Sequence, residues 1–280
     1  MPELTELFVQ RITKLPTLPH IAQEILNRIS DDMTSVVKIE ELVEKDPAIT
    51  AKVLSTANSP LFRSSTRITS IGGAIFRIGF NNVSSIALGI ALLSVFESKK
   101  QQDLPLDSSR IFKHSIAVGM LAKSLSKKVK LDNYDEIFSC GILHDLGLTV
   151  LNTHFPDLYQ GVIEEIRTGV PLLEAEKQVL GVTHAEVGTW LAENWNLPES
   201  IIECIADHHT LTSSGSREVA LIHITDYIIS KSFFSVIDKS PVYPLLPEAL
   251  LRLDLSEDDL AEMERDIDPG MFSEGVLSLY

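Results

Sequence analysis

Apolar residues recur along most of this chain at spacings of three and four, and alternating runs bounded by hairpin turns are missing. The pattern predicts a chain that is nearly all α-helical. In the first half the best-marked element begins at Asp46, with Pro47 in the first helical position, and carries Ile49, Val53, Leu54 and Ala57 on one side. It stops near Asn58-Ser59-Pro60, because a proline disfavours helical geometry at the residue before it. Around it the pattern predicts a helix before Val43, another across Ile71 to Ile78 and a longer one through Val83 to Phe96. The polar, turn-prone stretch from Lys99 to Ser109 reads as a connector. Beyond it, helices are predicted near 110–128, 134–146, 157–168, 172–180, 183–195, 199–209 and 216–231. The organisation expected is an N-terminal helical part over 1–105, a helical bundle over 106–231 and an acidic helical extension over 232–280.

At 280 residues and 44% hydrophobic, the chain is long enough to bury a substantial core. Its 24 Lys and Arg against 39 Asp and Glu give a formal charge of −15, a field that repels phosphate backbones and argues against nucleic acid as a partner. The extension holds eleven acidic and three basic residues, a composition that a solvated face explains. No run of about 18 apolar residues appears, and Glu3 and Glu6 stand where a signal peptide carries Lys or Arg. The expectation is a soluble, cytoplasmic protein with no membrane partner. Cys140 and Cys204 both sit inside apolar helical patterns, which fits reduced thiols better than a disulfide framework.

Several polar residues interrupt the apolar faces. His114 is in line with Val118, Leu121 and Leu125, so it lies on the core-facing stripe of its helix. His144 shares a face with Ile137, Gly141 and Leu148, and Asp145 aligns with Phe138, Ile142 and Leu148 at the end of the same predicted helix, with Gly147 as its expected C-terminal cap. Thr183 and Glu186 form a capping box that puts His184 in a first helical turn. His208 follows Ile201 and Ile205, and His209 follows Ile202 and Ala206. Asp226 stands with Val219, Ile222 and Ile229 on a strongly apolar stripe. His223 is a packing residue or a partner to these groups, and His20 and His154 have no assigned role.

A buried His or Asp needs a partner, because an unpaired polar group in a core costs several kcal/mol. Each of these residues is individually explained by a core hydrogen bond, by helix capping or by the favourable interaction of a cationic His with a helix C-terminus. As a set of imidazoles and carboxylates on several helices, they point to a metal-capable site, and such ligands suit Fe, Mn, Zn or Co better than Ca or Mg.

At these residues the chain resembles the HD superfamily, and more closely its HDOD branch. His114, the segment Gly141-Ile142-Leu143-His144-Asp145-Leu146-Gly147 and Asp226 follow the order of the metal-binding His, His-Asp and Asp of HD phosphohydrolases. His184, His208 and His209 look like the extra ligands of binuclear members. The HDOD likeness rests further on Leu15-Pro16-Thr17-Leu18-Pro19, on Asp46-Pro47-Ala48 with Ala57-Asn58-Ser59-Pro60, and on Ala74 to Gly79. It also rests on Glu176 with Leu180-Gly181 and on Trp195-Asn196-Leu197-Pro198.

The resemblance implies a helical HD-type bundle with an added N-terminal subdomain, one or two divalent metal ions, and a regulatory role among bacterial signalling proteins. The alternative it implies is a metal-dependent phosphohydrolase acting on a phosphate ester or nucleotide, with Asp145 as bridging ligand and catalytic residue. A third reading makes the polar cluster an ion-free hydrogen-bonded relic in a scaffold protein. Two departures argue against cyclic di-GMP hydrolysis. The branch of cyclic-dinucleotide phosphodiesterases with a Gly-Tyr-Pro motif has Lys three residues after the Asp, where this chain has Leu148. After His209 comes Thr210, and no Gly-Tyr-Pro follows. Without a cation near the scissile phosphate, developing charge lacks a stabilising partner.

Overall fold

The computed structural model describes residues 19–29, 36–58, 67–94, 104–212, 215–233, 235–237 and 242–268. The Leu15–Leu18 motif, the stop at Ser59-Pro60, the end of the helix at Phe96, the connector residues 99–103 and the last residues of the extension lie outside them. The described residues form α-helices joined by turns and contain no strand.

The N-terminal half consists of α1 (His20–Ile29), α2 (Val36–Glu44), α3 (Pro47–Ala57), α4 (Ile71–Ile78) and α5 (Phe80–Ser94). Asp46 caps α3 by accepting the Ile49 N–H at 3.1 Å, and Ile49, Val53 and Ala57 are buried as the stripe requires. Helix α5 is buried nearly all round, and its buried Ser84 and Ser85 satisfy their hydroxyls on the carbonyls of Phe80 and Asn81, one turn back. It joins the two halves of the molecule. Lys123 donates to Asn82 at 2.8 Å, Ser85 and Ser139 share a hydrogen bond at 2.6 Å, and Gly89 packs so closely on Ile142 that a β-carbon there would lie 2.5 Å from its side chain.

The bundle holds α6 (Ser108–Ser126), α7 (Tyr134–Leu143), α8 (Leu146–His154), α9 (Pro156–Arg167), α10 (Leu172–Leu180), α11 (His184–Asn194), α12 (Glu199–Asp207) and α13 (Arg217–Ser232). Two glycine-on-glycine crossings draw the site helices together. At the first, α6 meets α7 with Gly119 against Gly141, where a β-carbon on Gly141 would lie 2.2 Å from the Gly119 Cα. At the second, α8 meets α11, and a β-carbon on Gly147 would lie 1.9 Å from the His184 carbonyl oxygen. Gly147 is therefore not the expected C-cap. It sits inside α8, where only a missing side chain lets α11 approach. The segment entering α6 is held by Asn152 of α8, which accepts from the Leu106 N–H at 2.9 Å and donates to its carbonyl at 3.0 Å.

The helix expected over 134–146 is broken. It ends at Leu143, His144 and Asp145 form a turn in which Asp145 has φ −95° and ψ 21°, and α8 begins at Leu146. The extension adds α14 (Pro247–Arg252), packed on α13, and α15 (Glu257–Asp266), fastened by Lys231–Glu264 and Lys128–Asp266 ion pairs.

Candidate metal centre

The turn between α7 and α8 aims His144 and Asp145 inward, where four further helices meet them: α6 with His114, α11 with His184, the end of α12 with His208 and His209, and α13 with Asp226. Six of the seven are buried, and His209 is half-buried. They fall into two groups, His114–His144–Asp226 and Asp145–His184–His208–His209, and within each group the ligand atoms lie within 4.8 Å of one another.

Asp145 faces both groups. Its Oδ2 is 3.3 Å from His144 Nε2 and 3.9 Å from His114 Nε2, while its Oδ1 is 3.5 Å from His184 Nε2 and 3.8 Å from His208 Nε2. His114 Nε2 pairs with Asp226 Oδ1 at 2.9 Å, and Ser230 donates to the same oxygen at 3.2 Å.

The hydrogen bonds behind the rings settle which nitrogens face inward. His144 Nδ1 donates to the Gly141 carbonyl at 2.8 Å, and His208 Nδ1 donates to the Ile205 carbonyl at 2.9 Å. His184 Nδ1 donates to Glu176 Oε2 at 2.9 Å. Neutral rings so held turn three Nε2 lone pairs toward the Asp145 carboxylate. His184 Nε2 and His208 Nε2 are 3.3 Å apart, a hydrogen bond only if one of them carries an extra proton. His144 Nε2 and His209 Nδ1 are buried without any hydrogen-bond partner. Converging lone pairs and carboxylates in a buried site require cations, either protons or a metal, and the donor set of imidazoles and two carboxylates fits a transition metal.

The proton affinities follow the same electrostatics. Burial pushes the His144 imidazole down, but the neighbouring Asp145 carboxylate outweighs it and carries the pKa up to about 9. For His184, burial is likewise outweighed by Glu176, and the net shift is upward. His208, buried and flanked by His144 and His184, is pushed down to about 3. Burial acts to raise the carboxyls of Asp145 and Asp226, but the surrounding imidazoles reverse this and hold both well below the usual carboxylate range.

Two residues outside the predicted set complete the site. Glu176 is fully buried and accepts the His184 backbone N–H at 2.9 Å, the His184 ring and the Tyr159 hydroxyl at 3.0 Å. It fixes the His184 ring, as carboxylates behind metal-binding histidines do. The signal was its place one turn before Leu180 on an apolar face. Tyr243 lies with its ring 4.6 Å from that of His209, in a segment with no periodicity to single it out. His223 is a partner residue: its Nδ1 donates to the His208 carbonyl at 2.7 Å. His20 and His154 lie outside both groups.

A solvent-open cleft reaches His114, Asp145, His209 and Asp226. Its other walls are Leu148, Leu172, Ser230, Ser235, Val236, Ile237, Val242 and Tyr243, and no Lys or Arg is among the described lining residues. The N-terminal half contributes none of these described lining residues. No described helix is long and apolar enough to cross a membrane.

Comparison with known proteins agrees with the architecture. The HDOD domain model matches residues 15–211. An uncharacterized protein of Treponema pallidum (strain Nichols) is 25% identical over 250 residues, covering 89% of this chain, which spans about half (48%) of that relative's length. An HDOD domain protein of unknown function from Geobacter sulfurreducens superposes with a TM-score of 0.75 at 25% identity, covering 96% of this chain and 91% of that one. A protein of Shewanella amazonensis SB2B, provisionally named a phosphohydrolase, shares the fold with a TM-score of 0.73 at 21% identity, covering 96% and 97% of the two chains. A Marinobacter aquaeolei VT8 protein, provisionally named a signal transduction protein, does so with a TM-score of 0.74 at 21% identity, covering 98% of this chain and 66% of that one. With its family model matched over most of its length and its helices arranged as in these relatives, the chain belongs to the HDOD domain family.

Proposed function

We propose that the chain is a cytoplasmic regulatory module whose bundle, residues 106–231, holds one or two divalent transition-metal ions and which acts through contacts with bacterial signalling proteins. The organisation proposed is an N-terminal helical part over 1–105, the bundle over 106–231 and an acidic extension over 232–280. The observation that carries the metal reading is the convergence of His114, His144, His184, His208, His209, Asp145 and Asp226, with the two Asp145 oxygens turned toward two ligand groups. A metal bound there supplies Lewis acidity and lowers the pKa of coordinated water. When a metal is held there, the chain's own part would be to present three Nε2 atoms from rings fixed through Nδ1 and to offer the Asp145 carboxylate between the two ligand groups.

A second reading, a phosphohydrolase acting on a phosphate ester or nucleotide with Asp145 as bridging catalytic ligand, is favoured by the cleft that opens onto Asp145 and Asp226. Against it stands a described lining without Lys or Arg, and Leu148 at the position where the Gly-Tyr-Pro branch has Lys. The deciding experiment is phosphate release from p-nitrophenyl phosphate, nucleotides and cyclic di-GMP by metal-reconstituted protein, with Asp145→Ala as control. The regulatory reading predicts no turnover above the control. Metal-dependent turnover abolished by Asp145→Ala would replace it with the hydrolase.

A further inference from the structure

The end of α12 that bears His208 and His209 is bound on its outer side to the extension by two independent sets of bonds. One runs through His223, which is fully buried on α13. Its ring joins two backbones: Nδ1 donates to the His208 carbonyl at 2.7 Å, and Nε2 accepts the Leu246 N–H at 3.0 Å. Accepting at Nε2 requires the proton to sit on Nδ1, so a single tautomer satisfies both bonds at once. The Tyr243 hydroxyl adds a bond to the His223 carbonyl at 3.4 Å, and the Tyr243 ring stacks edge-on against His209 while lining the cleft. The other set runs through Arg252 of α14, whose guanidinium donates to the carbonyls of Gly215 at 2.6 Å and Leu211 at 3.2 Å and also to that of Thr212. These three carbonyls belong to the loop that follows the two histidines.

We propose that His223 is a positioning residue that links filling of the His208–His209 side of the metal pocket to docking of the segment 242–252. The proposal rests on the metal reading above and deepens it, naming the part of the chain through which occupancy is communicated. Any displacement of the His208 backbone on metal binding is transmitted through one rigid ring to Leu246, and Tyr243 moves with it against His209. Because linkage is reciprocal, whatever tightens the segment tightens the metal, and whatever loosens it weakens metal binding. The segment lies beyond the residues matched by the family model, so the coupling belongs to this chain's extension.

The test is amide hydrogen exchange of residues 242–252 with and without saturating Mn²⁺, with Mn²⁺ affinity measured by calorimetry on the same protein. His223→Asn keeps an N–H where Nδ1 stands and loses the Leu246 bond, whereas His223→Gln keeps an acceptor where Nε2 stands and loses the His208 bond. In the wild type, Mn²⁺ should slow exchange at Leu246 by about tenfold. Each variant, with helical content checked by circular dichroism, should lose that metal-dependent protection and bind Mn²⁺ about tenfold more weakly. A merely structural His223 would lower the melting temperature and leave both readouts untouched, and that result overturns the proposal. Bound Mn²⁺ with unchanged exchange in the wild type overturns the coupling alone, and this arm decides the matter if the variants do not fold. Where the wild type does not take Mn²⁺, the same two readouts are run with Zn²⁺, Co²⁺ and Fe²⁺, and failure to bind any of the four overturns the coupling together with the metal reading.

Discussion

Replacing Glu176 with Gln isolates the buried carboxylate behind His184 without changing its size. In the wild type one carboxylate accepts from the His184 backbone N–H, from His184 Nδ1 and from the Tyr159 hydroxyl. The amide oxygen of Gln can keep the two His184 bonds while its NH₂ donates to the Tyr159 oxygen, at the cost of the bond that the Tyr159 O–H donates in the wild type. What is lost at His184 is charge. Each bond falls from the charge-assisted range of about 1.5–3 kcal/mol to the neutral range of about 0.5–1.5 kcal/mol, and the ring loses the anion that makes Nε2 a stronger donor to a metal. Carboxylates in this position are worth about 10- to 100-fold in metal affinity, or about 1.4–2.7 kcal/mol. Calorimetric titration of Mn²⁺ or Zn²⁺ into Glu176→Gln should therefore show affinity reduced in that range with stoichiometry unchanged. Glu176→Ala leaves three donors unpaired at about 1–3 kcal/mol each and should cost folding stability as well. Wild-type affinity in Glu176→Gln would refute the placement of His184 as a ligand held by this carboxylate.

Three further outcomes follow from the same geometry. In metal-free protein, His144 with a pKa near 9 is protonated at neutral pH and must release that proton to a metal, so titration at pH 7 in buffers of different ionisation enthalpy should report release of about one proton or more, and affinity should rise with pH toward 9. The stability of the metal-free protein should fall as pH rises from about 6.5 to 9, where the raised His144 loses its charge. It should fall again as pH drops below about 6.5, because His208, pushed down to about 3, stays neutral in the fold while it charges in the unfolded chain; melting curves across pH 3–9 check both arms. Gly147→Ala drives a β-carbon into the His184 carbonyl and should cost about 1–3 kcal/mol while weakening metal binding, whereas Gly181→Ala, which meets nothing but takes a left-handed φ of 76°, should cost about 1–2 kcal/mol and leave metal binding unchanged.

The sequence made most of the site legible because each of its seven residues interrupts an apolar helical stripe, and a buried polar residue stands out against such a background. Helix α8 escaped for the opposite reason: from Leu146 to Thr153 every residue is buried, so no polar face marks a period. The break at His144-Asp145 was hidden by apolar residues on both sides, and it is this break that lets Asp145 turn one oxygen to each ligand group. Gly147 and Gly141 read as ordinary turn or helix glycines, since close backbone approach depends on a partner helix far away in sequence. Glu176 was visible as a motif residue, but its role required knowing that α10 delivers it to His184. Tyr243 carried no signal at all, lying in an irregular segment whose position is set by His223 and Arg252.

The central claim, a metal centre held by the His and Asp cluster around Asp145, is tested most directly by elemental analysis of untagged protein purified without chelator, beside the double variant His144→Ala/Asp145→Ala. The account predicts one or two equivalents of Fe, Mn, Zn or Co in the wild type and their loss in a variant that keeps its helical circular dichroism. Metal absent from the wild type even after reconstitution, or retained at equal stoichiometry by the double variant, would contradict it.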